Sequence, residues 1–315
     1  MCMQDRFINR LRRDVPLAPF TSFRIGGPAR YYFSPRNIKD FSKALAWALR
    51  ERVPYFILGG GSNVLIHDSG YNGLVIHTHR LATMRTEGNV IECECGVLID
   101  SLVDLSLECN LGGLEFAAGL PGTVGGALFM NARAYGGAFS DITDSVTALK
   151  VEETGVRKIL LQREGFRFSY KRSLFQEDTL YVYSACFSLL PRERMRISND
   201  IQKNRSSRQE KGQYMFPNVG CIFKNDYRIG VPTGIIVEEL GLKGKRIGDA
   251  EVYEKHANFI VNRGNATAQD VYRLIRLIES EVKTKRNIEL ELEIKLIGEW
   301  PEAEKKSGRK EVEID

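Results

Sequence analysis

The sequence predicts an α+β protein, and three observations carry that prediction. Short apolar runs, such as residues 55–58, lead directly into glycine-rich turns. Two stretches place apolar residues at helical spacing: Ile38, Phe41, Leu45 and Leu49, then Val271, Leu274, Ile275, Ile278 and Val282. One late stretch alternates strictly, with Ile288, Leu290, Leu292, Ile294 and Leu296 against Glu289, Glu291, Glu293 and Lys295, the period of a half-buried strand. The pattern restarts near 81 and again near 201. The expected units are therefore residues 1–80, 81–200 and 201–298, followed by a polar tail over 299–315 too poor in apolar residues to fold.

Composition narrows the function classes. An apolar content of 43% with 27% charged residues is that of a globular protein, and the length of 315 residues predicts two or three domains. The net charge of +5 suits an anionic small molecule as well as a nucleic acid. No basic tract is interleaved with aromatics, so no nucleic-acid partner is expected. The six cysteines, at 2, 93, 95, 109, 186 and 221, form no Cys-x-x-Cys pair, and four histidines are too few to complete a zinc site, so no metal is expected. No apolar run reaches the ~18 residues of a membrane span, and the N-terminus lacks the apolar segment of a signal peptide. A cytoplasmic protein without membrane insertion is expected.

Along the chain, Asn37 caps the first predicted helix. The strand at 55–58 runs into Gly59-Gly60-Gly61-Ser62-Asn63 and then Val64-Leu65, and a further strand at 74–77 follows. Residues 90–97 alternate as a strand with Cys93 and Cys95 inward, and 99–107 fit a short helix. Strands are predicted at 146–151, 157–161 and 180–189, and a charged connector helix over 191–211. Phe216-Pro217-Asn218-Val219-Gly220 forms a turn that delivers Cys221 to the entry of a strand. Residues 231–240 form a helix with Pro232 in its first turn and Gly241 as its stop, and Thr267 with Asp270 makes a capping box for the next.

The centre of the chain, residues 113–137, reads as neither an ordinary helix nor a strand. Gly119, Gly122, Gly125 and Gly126 surround Pro121 and Thr123. Glycine at this density serves a tight loop between buried elements or a backbone cradle whose N–H groups wrap an anion. Residues 59–63 form a second candidate cradle. It is not a dinucleotide fingerprint, since no G-x-G-x-x-G opens a helix there.

Several separated motifs then point one way. Leu17-Ala18-Pro19-Phe20-Thr21, residues 58–65, Gly119-Leu120-Pro121-Gly122-Thr123-Val124-Gly125-Gly126-Ala127 with Met130-Asn131-Ala132, residues 217–225, residues 241–244, residues 255–262 and Leu290-Glu291-Leu292-Glu293-Ile294 occur in order over about residues 15–298. Together they resemble the bacterial UDP-N-acetylenolpyruvoylglucosamine reductase family. The resemblance implies a two-part FAD-binding module of the PCMH/vanillyl-alcohol-oxidase-like kind and a C-terminal α+β domain for the UDP-sugar. It implies noncovalent FAD, hydride from NADPH, and reduction of an enolpyruvyl ether to UDP-N-acetylmuramate in peptidoglycan synthesis. The short interval between Phe175 and Arg205 resembles the subtype without an extra substrate-covering loop. A monomer acting on a UDP-sugar is expected. The alternatives are an FAD-dependent hydroxy-acid or alditol oxidoreductase and a non-catalytic flavin- or nucleotide-binding relative.

The same resemblance assigns roles. Cys221 stands where the family has a serine acid; its thiol, with an ordinary pKa of about 8.5, stays mostly protonated near neutrality and is a stronger acid than a hydroxyl. Read without the motif, Cys221 is a small buried hydrophobe. Glu293 matches the family's catalytic glutamate, although periodicity does not separate it from Glu289 and Glu291. Lys171 occupies the position of an enolate-stabilising arginine, with Arg172 next to it; in a strand the two would face opposite sides. Gly59, Gly60, Gly61, Ser62, Asn63, Val64, Gly119, Pro121, Gly122, Thr123, Gly125, Gly126 and Asn131 are the expected FAD contacts. Tyr170, Lys224, Asn225 and His256 are the expected substrate contacts, and Arg133, where the family more often has glycine, points to solvent.

Overall fold

The structure, a computed structural model, describes residues 7–177 and 179–301. The expected tail lies outside them from 302 onward. The chain forms two compact units. The first holds residues up to Val15, Ala29–Ser62 and Asn72–Tyr214; the second holds Pro16–Pro28, Asn63–Tyr71 and the chain from Met215.

In the first unit, a five-stranded antiparallel sheet runs in the order Gly155–Gln162, Thr143–Glu152, Leu180–Ser188, Val90–Glu94, Met84–Glu87. Cys93 and Cys95 face its core, as the alternation predicts. A four-stranded sheet orders Arg12–Pro16, Pro28–Phe33, Tyr71–His77 and Tyr55–Leu58, the last two parallel. The helix Ile38–Arg50 starts where Asn37 accepts the Asp40 N–H. Its buried stripe is Phe41, Ala44, Leu45 and Ala48. Leu49 is exposed, one step round the helix from Ala48, and does not belong to that stripe. The connector helix spans Arg194–Glu210 and buries Ile197, Ile201 and Arg208.

The second unit gathers three separated stretches around one core. Phe23 and Ile25, then Leu65, pack with Ile222, Phe223, Val237, Ile260, Ile275 and Ile294. Backbone and side-chain bonds tie the short stretches in: the strand Val64–Ile66 pairs in parallel with Lys295–Ile297, Asn262 Nδ2 donates to the Phe23 carbonyl, and the Asp68 carboxylate accepts the N–H groups of Ala268 and Gln269 at the start of the helix Ala268–Arg286. That helix has the predicted capping box at Thr267 and Asp270 and buries all five expected apolar residues. The helix predicted over 231–240 spans Thr233–Glu239, with Pro232 as its cap.

Two strand expectations are corrected. The alternation over 288–296 yields a strand only at Lys295–Ile297; upstream, Leu292 makes a single bridge to Phe223. Cys221 likewise enters a bridge to Phe259, not a strand. Alternating polarity reports which residues face inward, and an irregular extended segment satisfies it as well as a ladder does. Among the described residues no helix is long and apolar enough to cross a membrane.

A charged cluster supports the segment that leads to Cys221. Glu251, 2% exposed, pairs with Arg246 and Arg263. The Arg263 guanidinium lies over the Phe216 ring, 4.1 Å from its centroid, and the Asn262 N–H donates to the Pro217 carbonyl at 2.9 Å. Burial pushes the Glu251 carboxyl up, but its hydrogen bonds and charge attraction to the two guanidinia outweigh that and hold it below its ordinary value. The group therefore stabilises the fold above the unfolded carboxylate pKa, and that stabilisation is lost as pH falls through the lowered folded value. Glu251→Gln should cost about 2 kcal/mol at neutral pH in denaturant unfolding, with the difference from wild type shrinking in acid; a pH-independent difference would remove the charge from this account.

Candidate functional site

The two glycine loops of the first unit interlock. A Cβ added at Gly60 would lie 2.6 Å from Gly122 Cα, and one at Gly59 would lie 2.6 Å from Thr123 Oγ1. Real Cβ contacts do not come so near, so the loops meet only because both lack side chains there. The Ser62 hydroxyl donates to the Pro121 carbonyl at 3.2 Å and closes the contact. Thr123 is 2% exposed, and its Oγ1 has no hydrogen-bond partner among the described residues. A buried hydroxyl left this way costs free energy unless a ligand oxygen completes it. Two touching glycine-rich loops, whose backbone is not covered by Cβ atoms, with an orphaned hydroxyl beside them, suit an anionic group such as a diphosphate.

In the second loop several N–H groups are already committed to the protein. The Val124 and Gly125 N–H groups donate to the Val97 and Cys95 carbonyls, and the Gly119 N–H donates to Asp100. The stretch 113–137 is not free of helix, since Val124–Met130 is helical. Gly125 serves close packing there: a Cβ would come 2.9 Å from Cys95 Cβ. Asn131 has a structural role. It ends this helix at φ +41°, donates from Nδ2 to the Ser169 carbonyl and accepts the Ser140 N–H at Oδ1. Its amide thus holds backbone, including the segment carrying Tyr170 and Lys171.

That segment is a tight turn, which corrects the strand argument about Lys171 and Arg172. Ser169 and Arg172 exchange backbone hydrogen bonds of 3.1 and 3.3 Å. Lys171 occupies the second central position with φ +57°, where glycine is usual. A left-handed lysine costs roughly 1–2 kcal/mol, held in place here by surrounding bonds. Gln176 Nε2 donates to the Lys171 carbonyl, and Ser173 Oγ donates to the Phe129 carbonyl. Lys171 is half-buried and Arg172 exposed. Arg133 is exposed, as expected, but its guanidinium stacks over the Tyr170 ring at 5.7 Å.

In the second unit, the backbone brings Cys221 and Glu293 to neighbouring segments. Ile222 N–H donates to the Asn258 carbonyl and Glu293 N–H donates to the Ile222 carbonyl, each at 2.8 Å. Glu293 is half-buried, whereas Glu289 and Glu291 are exposed and paired with Lys283 and Lys224. The structure thus separates three glutamates that periodicity left equivalent. Lys224 is committed to Glu291 at 2.6 Å, and the Asn225 Oδ1 accepts the Thr233 N–H at 2.9 Å near a helix start. The His256 ring packs on Phe259 at 4.3 Å. Asn63 and Val64 belong to this unit rather than to the glycine cradle: Asn63 Nδ2 donates to the Glu293 carbonyl, and Val64 pairs with Lys295. Among the described residues no group of three or more His, Cys, Asp or Glu is placed to hold a metal.

Sequence reasoning missed two supports. Asn258 exchanges both side-chain hydrogen bonds with the Phe223 backbone and so fixes the chain beside Cys221. Around Gly119, Tyr214 donates to its carbonyl at 2.7 Å and the buried Arg208 donates to the Ala118 carbonyl at 3.0 Å. Neither carries a sequence signal, because each partner is backbone many residues away.

Comparison with known proteins agrees with this layout. Residues 29–154 match the family described as FAD binding domain, and residues 210–297 match UDP-N-acetylenolpyruvoylglucosamine reductase, C-terminal domain. The chain is 40% identical over 297 residues to UDP-N-acetylenolpyruvoylglucosamine reductase of Synechococcus sp. (strain JA-3-3Ab), covering 94% of each chain. It is 41% identical over 293 residues to that of Caldicellulosiruptor bescii, covering 91% of each. It is similar to the crystal structure of UDP-N-acetylenolpyruvylglucosamine reductase from Thermus caldophilus, with a TM-score of 0.77 and 30% identity over 91% of this chain and 99% of that one.

Flavin absorbance after FAD addition tests the cradle. Gly60→Ala, which drives a methyl into the Gly122 backbone, should abolish uptake. Thr123→Val keeps the shape and removes the orphaned hydroxyl, so it should leave the apoprotein at least as stable while weakening FAD binding about tenfold. Unchanged affinity in both variants would remove the interlocked loops as the binding site.

Proposed function

We propose, because this chain belongs to the UDP-N-acetylenolpyruvoylglucosamine reductase family, that it reduces UDP-N-acetylglucosamine-enolpyruvate to UDP-N-acetylmuramate, a peptidoglycan precursor. The observation that carries the reading is the match of residues 210–297 to the reductase's own C-terminal domain, since an FAD-binding part by itself would also suit other flavoenzymes. FAD bound there would supply the hydride chemistry, with NADPH as the source of hydride for the enolpyruvyl double bond.

The chain's residues do the rest. Gly59, Gly60, Gly61, Ser62, Pro121, Gly122, Thr123 and Gly126 would hold the cofactor's diphosphate, and Thr123 would offer it a hydroxyl donor. Gly119, Gly125 and Asn131 shape that site through their packing and backbone contacts. Lys171, presented on its strained turn with Tyr170, places positive charge where the enolate develops. Lysine offers a point charge in place of the planar fork of arginine, so it stabilises that charge without bidentate grip. Cys221, in no disulfide, donates the proton to the second carbon. Glu293 acts on the substrate's carboxylate end, where a carboxyl must itself be protonated or cation-paired. Lys224, Asn225 and His256 lie on the same unit for contact with the UDP-sugar. The protein works as a monomer in the cytoplasm, with no nucleic-acid partner.

Steady-state NADPH oxidation tests the whole reading: the enolpyruvyl sugar nucleotide should stimulate it, and a yellow protein indifferent to that substrate would sink it. For Cys221, Cys221→Ala should leave flavin reduction by NADPH nearly intact and slow reoxidation by substrate about 10²–10⁴-fold, while Cys221→Ser retains much of the rate. An unaltered reoxidation rate in the alanine variant would take Cys221 out of the mechanism. For the basic pair, Lys171→Ala should lower kcat about 10²–10³-fold and Arg172→Ala should change it little. The reverse ranking would move the role to Arg172.

A further inference from the structure

The end of the strand Tyr71–His77 carries two side chains that the reading above leaves unused. In the parallel ladder, His77 stands opposite Leu58, the last residue before the first glycine loop. Thr78 Oγ1 donates to the Leu58 carbonyl at 3.2 Å, and both residues are buried. His77, also buried, hydrogen-bonds the Gly59 backbone, while its Nδ1 meets the Tyr32 hydroxyl at 2.8 Å. Burial, aided by the neighbouring His79, pushes the His77 imidazole down to about 3, so the ring is neutral in ordinary buffers. A neutral imidazole has one N–H and one lone pair. The Tyr32 O–H fills the lone pair at Nδ1, which leaves Nε2–H to donate to the Gly59 carbonyl.

Two successive carbonyls at the mouth of the loop are thus held by two successive side chains. In a planar trans peptide the C=O and N–H point in opposite directions. Holding the Gly59 carbonyl against His77 turns the N–H of the same peptide, that of Gly60, the other way. An anion-binding loop requires this orientation, because an outward carbonyl would repel a phosphate and an outward N–H attracts one. Gly60 is also the residue that meets Gly122.

We infer that His77 and Thr78 are positioning residues for the cofactor's diphosphate: by anchoring the Gly59 and Leu58 carbonyls they aim the Gly60 N–H into the cradle. This rests on the FAD reading of that cradle. It assigns the pair no contact with the cofactor, so its signature is affinity recovered by any side chain that restores the donor.

The test is the FAD dissociation constant of the apoprotein, read by flavin fluorescence, beside the thermal unfolding of each apoprotein. His77→Phe keeps a ring and removes the donor, and it should weaken FAD binding about 10–100-fold, with His77→Gln recovering most of the loss. Thr78→Val should weaken it about tenfold, with Thr78→Ser close to wild type. The Thr78 pair carries the test if His77→Phe does not fold. Unchanged affinity in Thr78→Val and His77→Phe overturns the inference. So does a loss that tracks apoprotein stability and that neither Gln nor Ser recovers, since that marks a structural role alone. A wild-type chain that takes up no FAD overturns the cofactor reading beneath it, and the inference with it.

Discussion

The contact around which the first unit's two glycine loops are arranged is the approach of Gly60 to Gly122. Two loops from distant parts of the sequence reach a backbone separation that no side chain permits. Several side chains bonded to the loops' backbone restrain them. Thr78 and His77 hold the first loop from behind. Asp100, Arg208 and Tyr214 hold the second through Ala118 and Gly119. Polar side chains bonded to backbone fix a loop more firmly than apolar packing would, because each buried carbonyl left unmatched carries a penalty.

The second unit solves a different problem with the same means. Its segment around Cys221 is too irregular for a ladder, yet it must be held. Asn258 substitutes for a missing strand partner by exchanging two hydrogen bonds with Phe223, and the Ile222 peptide bonds to Asn258 on one side and Glu293 on the other. Asn63 reaches the Glu293 carbonyl from a third stretch of chain. The Glu251 cluster then braces Phe216 at the entrance through Arg263.

Local patterns were legible in the sequence, and their limits follow from what a pattern encodes. Asn37 and the Thr267–Asp270 box marked helix starts correctly because capping is a contact between residues three apart. Cys93 and Cys95 were placed inward because a strand's period is two. Glycine density marked two loops that meet but not the use of each glycine: Gly60 serves loop contact, whereas Gly125 serves helix packing on Cys95. The Ser169–Arg172 turn was invisible, since Lys171 is a poor residue for a left-handed position and bonds from Asn131, Ser173 and Gln176 to backbone help keep the region in place. The three glutamates of the last segment became distinct only once burial was known, because alternation gives all of them the same phase.

The threading of the second unit bears on how the chain can be cut and how it folds. Phe23, Ile25 and Leu65 complete a core whose other members come from beyond Met215. A fragment starting at 215 lacks those three side chains, each worth about 1.5–3 kcal/mol on burial, and is not an independent module. On the ribosome, the core waits for the last strand Lys295–Ile297 before Val64–Ile66 gains its partner. Such high sequence separation slows folding and leaves Phe23, Ile25 and Leu65 without the rest of their core until the residues beyond Met215 have been made. The gene therefore cannot be split by one cut near codon 215 into two self-sufficient halves, even though the sequence motifs divide there.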